Sequence, residues 1–399
     1  MFLCYKAMIK PNYKTENNIK MLDVDTKFVE VISDEIEDSY SNDDLYNINS
    51  WGADLSFREL ISMYEEDELL KPELQRKYVW EKAEASRFIE SILLGLPVPS
   101  IFLANTKDEK KLIIDGYQRV MTVFDFVKGI WSKDGKVFKL SNTEKINSRW
   151  RGLAFNELDR ADQRRIRSST IHAIIFEQRA PEDNDTSLYQ VFERINTGGR
   201  ALMPQEIRNC VNQGEFNNVL FELNQDKNWR VLFGKELEDT RMRDLEFILR
   251  FLALDTDTIK NSTATVISLK KYLNEFMGSK NSQKDIILQE RKEKFKKVME
   301  FIMHNIGENA FYNIVSGEET KVRKRFYPTI FDAVCSAVSI ALKRLGDDIP
   351  INDLEEKRIS MLKDERFRKY SSEGTMQIAH IHGRIDLALT YLFGIGYEE

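Results

Sequence analysis

The sequence predicts an α+β protein, with a mixed part from about Trp51 to Gly214 and a helical part from there to the end. Three observations carry this. Short runs rich in strand formers alternate with helical periods up to Gly214. From Pro204 onward nearly every apolar stripe keeps a helical period. A composition of 42% hydrophobic and 31% charged residues over 399 positions supplies one large core or two ordinary ones.

The elements follow in order. Residues 1–50 read as a peripheral segment. Within it, Asp34 to Asp44 holds six carboxylates and no basic residue, a run that is usually a solvated loop. The alternative is an acidic flap that competes with DNA for a basic groove. Ser56 and Glu59 form a capping box that opens a helix with Leu60, Ile61 and Tyr64 on one face. After a turn at Pro72, Leu74 to Trp80 reads as extended chain. A helix with Ala85, Phe88, Ile89, Ile92 and Leu93 on one side stops at Gly95 and Pro97. Ser100–Leu103 and Leu112–Ile114 read as two strands joined by a charged turn. Gly116 opens a helix bearing Val120, Val123, Phe124 and Val127. A basic stretch leads to the strand Ile171–Phe176. Asp185 or Thr186 caps a helix with Leu188, Val191, Phe192 and Ile195, which ends at Asn196-Thr197-Gly198-Gly199. Five further helical periods follow, 247–254, 270–277, 291–304, 327–345 and 378–393. The expected division is therefore 1–50, 51–214 and an all-helical 215–399.

The formal charge of −6 gives no whole-protein attraction for nucleic acid, so DNA contact needs a local patch. Arg160, Arg164, Arg165 and Arg167 supply one, with Arg160 and Arg164 four residues apart on a shared helix face. A solvated face is the commoner fate of such a run. Cys4, Cys210 and Cys335 are too few and too scattered for a disulfide framework or a closed zinc site. Neither a secretory signal nor a membrane-spanning run is present in the sequence. These features fit a cytoplasmic protein with no membrane partner.

The most informative constellation is Asp115-Gly116-Tyr117-Gln118-Arg119, where a buried strand passes into a helix. The first N–H groups of a helix lack intrahelical partners and attract anions. Gly116 permits close backbone approach, Arg119 can fork onto phosphate oxygens, and Gln118 can orient a water or a nucleotide edge. Asp115 can hold a divalent metal or fix Arg119. The plainer alternative makes Asp115 an N-cap and Arg119 a solvated charge. Two more groups carry the same ambiguity. Gln75-Arg76 ahead of Tyr78-Val79-Trp80 is a phosphate clamp or an arginine lying over tryptophan. Arg194 and Asn196 before Gly198-Gly199 are nucleotide ligands or parts of a helix C-cap.

These motifs occur in one order: Gln75-Arg76-x-Tyr78-Val79-Trp80, Gly95-Leu96-Pro97-Val98-Pro99, Asp115-Gly116-x-Gln118-Arg119, and Phe192-x-Arg194-Ile195-Asn196-x-Gly198-Gly199. Together they resemble the N-terminal domain of GmrSD-type modification-dependent restriction enzymes over roughly Leu55 to Asn209. Arg243-Asp244-Leu245-Glu246 with Phe251-Leu252 resembles that family's helical continuation. The resemblance implies a ParB/sulfiredoxin-like fold, nucleotide binding and hydrolysis, and recognition of modified or foreign DNA. By motif match, Asp115, Gln118 and Arg119 turn the nucleotide over. Gln75, Arg76, Gly116, Tyr117, Arg194 and Asn196 bind it.

Two departures matter. Tyr117 stands where the family has glutamine, which puts hydrolysis in question if that glutamine positions water. The family's C-terminal HNH nuclease half is also missing. His380 and His382 point apart on a helix and form no metal pair, while His172 and His304 sit alone in apolar patterns as structural side chains. The expectation is an NTP-binding and NTP-hydrolysing sensor of an anti-phage defence system, with Mg²⁺ accompanying the NTP and no resident metal site. DNA, a separate nuclease subunit and further copies of the chain are its expected partners. The rival readings are a ParB-like DNA nickase and a non-catalytic binding regulator.

Overall fold

The runs read as strands at Ser100–Leu103, Leu112–Ile114 and Ile171–Phe176 become the three central strands of one five-stranded sheet. The computed structural model describes residues 28–36, 48–71, 80–106, 108–179, 186–195, 202–212, 214–279, 284–315 and 318–398. Its sheet contains β1 (Ile48–Ser56), β2 (Leu69–Leu70), β3 (Ile101–Asn105), β4 (Lys111–Asp115) and β5 (Thr170–Gln178), in the order β1-β5-β3-β4-β2. β1 runs antiparallel to β5, β5 parallel to β3, β3 antiparallel to β4, and β4 parallel to β2.

Neither edge strand was visible as a pattern. β1 carries Gly52, Asp54 and two serines, with Leu55 its one buried residue. Pairing with β5 along its whole length, rather than propensity, makes it a strand.

The alternation of side chains along β3, β4 and β5 splits the core in two. Leu103, Ile113, Ile171, Ala173 and Ile175 face one way. They pack with α2 (Phe57–Glu65), α3 (Lys82–Leu94), α4 (Tyr117–Lys128) and α5 (Arg160–Ser168). Ala104, Leu112 and Ile114 face the other way, under Tyr189 and Phe192 of α6 (Thr186–Ile195) and Ile207 and Cys210 of α7 (Pro204–Val211). That second layer covers only part of its face. Gly52, Asp54 and His172, at the β1–β5 side, stay exposed.

Of the capping box read at Ser56 and Glu59 only the Ser56 half forms, while the glycine stop after α3 forms as expected. Ser56 accepts from the Glu59 N–H at 3.2 Å, and Gly95 closes α3 with φ 73°.

The helical part has its own core, built around α10 (Arg243–Leu254), α13 (Asp285–Asn305), α14 (Pro328–Leu345) and α17 (Ile378–Phe393). It is not all-helical: β6 (Tyr312–Val315) and β7 (Glu318–Phe326) form an antiparallel hairpin. Charged residues dominate β7, so its period-2 signal is weak in the sequence.

Residues 28–36 are not peripheral either. Val29 is buried in the helical core, and its neighbours bond to Phe326: Glu30 donates its N–H to the Phe326 carbonyl at 2.8 Å, and Phe326 donates back to Phe28 at 2.9 Å. Glu35, expected in a solvated loop, takes two hydrogen bonds at 2.7 Å from the fully buried Arg250. Arg250 also forks onto Asp332, which accepts from buried Arg384 as well. Burial raises the Glu35 pKa above the usual carboxylate value, partly offset by Arg250. The rest of the acidic run, residues 37–44, lies outside the described residues. The two halves are joined through Arg208, 1% exposed, which donates to Asn274 at 2.8 Å and to Glu246 at 3.1 Å.

Candidate functional site

β4 ends at Asp115 and α4 begins at Tyr117, so one residue makes the turn. Gly116 does so as N-cap with φ 99° and ψ 6°, a conformation that L side chains rarely adopt. It also lies against Ile101. A Cβ placed on Gly116 would stand 2.3 Å from the Ile101 Cγ2. The glycine is thus required by the fold, whatever a ligand needs. Asp115 is not the N-cap.

Arg119 is held rather than solvated. Its Nη1 donates to the carbonyls of Ser100 and, at 3.2 Å, Pro99, while Nη2 donates to Asp115 Oδ2 at 2.7 Å. Its side chain is 15% exposed, against 38% for Asp115. A guanidinium has five N–H donors, so these contacts leave the Nε–H and one Nη2–H with no partner among the described residues. The first N–H groups of α4 precede its first intrahelical bond, from Val120 to the Gly116 carbonyl at 3.1 Å. Fixed guanidinium and helix start together present donors at one sheet end.

Gln118 accepts from the Trp80 backbone N–H at 3.3 Å. That contact ties the chain leaving the Gln75-Arg76 motif to the first turn of α4. Gln75 and Arg76 themselves, and Asn196 on the other arm, lie outside the described residues. Arg194 is exposed near the end of α6.

Tyr117, expected beside a ligand, turns its side chain into the core at 5% exposure. Burial, with Tyr64 and Asp125 adding to it, pushes its hydroxyl pKa up to about 12. The phenol fills space.

α5 presents the basic run, but its four arginines are not equivalent. Arg165 donates to the Leu93 carbonyl at the end of α3 at 2.6 Å, and Arg167 lies 5.0 Å over the Phe155 ring. Arg160 and Arg164 are exposed on the same face. Nearby Arg149 is neutralised by Asp159 and Asp162, at 2.8 and 2.9 Å.

Among the described residues no group of three or more His, Cys, Asp and Glu side chains is placed to hold a metal. His380 Nδ1 and His382 Nε2 donate to the carbonyls of Glu373 and Ile259, at 2.7 and 2.8 Å. His304 does the same with Glu300 at 2.8 Å. His172 is different. Read from the sequence as an isolated structural side chain, it is exposed and bonded to Asp54 across β1 and β5, Nδ1 to Oδ1 at 2.8 Å.

Compared with known proteins, residues 57–212 match the family model described as GmrSD restriction endonuclease, N-terminal domain. No curated protein and no solved structure matches the chain.

Proposed function

We propose that the chain, whose residues 57–212 match the GmrSD restriction endonuclease N-terminal domain model, works in restriction-type defence that acts on DNA, as an NTP-dependent sensor. The observation that carries this reading is the fixed Arg119. A guanidinium anchored by two carbonyls and Asp115 is preorganised, so its remaining donors meet an anion with little ordering cost. The start of α4 adds its partial positive charge on the same side.

In this reading the triphosphate lies across the start of α4 on Arg119. Mg²⁺ arrives with the phosphates, because Asp115 already serves Arg119. Gln118 conveys ligand binding to the Trp80 segment, and the Arg208 contacts convey it to the helical part. Arg160 and Arg164 supply the DNA contact on α5, and cleavage is left to a separate nuclease subunit.

The test is calorimetry and phosphate release with ATP, GTP, CTP and UTP, each with Mg²⁺. Arg119→Ala should weaken binding of the preferred NTP by about 2–3 kcal/mol, the loss of a charge-assisted contact. Arg119→Lys, which keeps the charge but not the fork, should fall between. Unchanged affinity in folded Arg119→Ala removes the phosphate role. DNA nicking abolished by Asp115→Ala would favour the nickase instead.

A further inference from the structure

We infer that His172, held by Asp54, is the proton acceptor for water attack on the terminal phosphate, an inference that rests on the NTP reading above. The sheet pairing puts these groups on one surface. Between Phe102 and Leu103 the register shifts by one residue, so that Ile114 is extra and Asp115 stands opposite Phe102. A bulge of this kind turns both of its residues to the same side. Asp115 therefore leaves the face of Ile113 and joins that of Phe102. Asp115, Phe102, Ile174 and Gly52 form a row across β4, β3, β5 and β1. His172 and Asp54 occupy the next row on the same face, in the part left uncovered by α6 and α7.

The separation suits a reaction centre between them. Continuing the β3–β5 register one step sets Ser100, whose carbonyl holds Arg119, beside His172. At about 4.8 Å per strand and about 3.3 Å per residue, His172 lies roughly 5 Å from Ser100 and roughly 12 Å from Asp115. A terminal phosphate and one water fit that gap.

The pair itself has the form of a base. Asp54 fixes Nδ1, so Nε2 is the site that accepts a proton, and it has no hydrogen bond among the described residues. The Cε1–Nε2 edge of the imidazole lies against Gly52. A Cβ there would stand 2.7 Å from Cε1 and 3.0 Å from Nε2. Stability does not account for this arrangement. A glycine inside a strand costs about 0.5–1 kcal/mol. An exposed cross-strand pair contributes about 0.2–1 kcal/mol, so the two nearly cancel.

The step balances without another reactant. A water oxygen bonds to the γ-phosphorus and the bond from that phosphorus to the bridging oxygen breaks. The water's proton passes to His172 Nε2, and the nucleoside diphosphate leaves with the bonding pair.

Phosphate release by the full chain, with the NTP it binds, tests this. His172→Gln should lower kcat by about 10²–10⁴-fold with KM and calorimetric Kd within threefold of wild type. Imidazole should restore turnover to His172→Ala. Asp54→Asn should lower kcat less, and the Asp54→Asn, His172→Gln double variant should be no slower than His172→Gln alone. Wild-type kcat in His172→Gln, with turnover still lost in Arg119→Ala, overturns the base and leaves the NTP reading standing. Failure of the wild type to bind any NTP overturns both.

Discussion

Gly116 allows the site's architecture to be tested without any ligand. Substitution by alanine asks the chain to hold a side chain at φ 99°, which costs roughly 1–2 kcal/mol. The new Cβ also meets Ile101, at 2.3 Å from Cγ2 and 2.9 Å from Cβ. Ile101 cannot retreat, being fully buried between β5 and β4. Overpacking of this kind costs about 1–3 kcal/mol, so Gly116→Ala should lose about 2–5 kcal/mol. The two causes separate in a cycle with Ile101→Ala, which removes Cγ2 and leaves the backbone strain. The double variant should be more stable than the sum of the single losses predicts, by about 1–2 kcal/mol. Urea unfolding followed by circular dichroism measures all four proteins. A Gly116→Ala loss below about 0.5 kcal/mol, or strict additivity, would refute the claim that the glycine serves the packing against Ile101.

Two further outcomes follow from charges elsewhere. Burial pushes the Asp239 carboxyl up, but bonds from Arg243, with Arg241 and Lys235, outweigh it and hold the pKa at about 2. A depressed carboxylate stabilises the fold above its unfolded pKa of about 4 and loses that contribution as pH falls towards 2. The melting-temperature gap between wild type and Asp239→Asn should therefore be full at pH 6 and shrink between pH 4 and 2; a gap independent of pH would contradict it. For DNA, reversing Arg160 and Arg164 to Glu should weaken binding to every sequence and flatten the salt slope by about 2, as two phosphate contacts are lost. An unaltered slope would move the contact to another surface, such as Lys321, Arg323 and Lys324 on β7.

How much of this was legible depended on whether the determinant was local. The Asp115–Arg119 junction could be read because a strand, a glycine and a helix start succeed one another along the chain. The central strands were legible for the same reason. β1 was not, since its identity comes from pairing with β5 more than a hundred residues away, and neither was the bulge that redirects Asp115. The interior place of Tyr117 depends on helices packed around it, which a motif cannot show. The outward position of His172 had an available signal: Ile171, Ala173 and Ile175 point inward, so period-2 alternation places His172 outward. The ion pairs of Arg250 and Arg384 were hidden because their helices read as apolar stripes whichever face each arginine takes.

The clasp at residues 28–36 has a consequence in time. Val29 accepts a hydrogen bond from Arg325, 296 positions further along, and Glu35 waits for Arg250, 215 positions on. At a synthesis rate of about 5–20 residues per second, the partner of Val29 emerges roughly 15–60 s after Val29 itself. Until then the segment has no seat, and the helical half, once made, has an open strand edge at Phe326 and a guanidinium with half its partners. The earliest described stretch to be translated thus waits for partners more than two hundred positions further along.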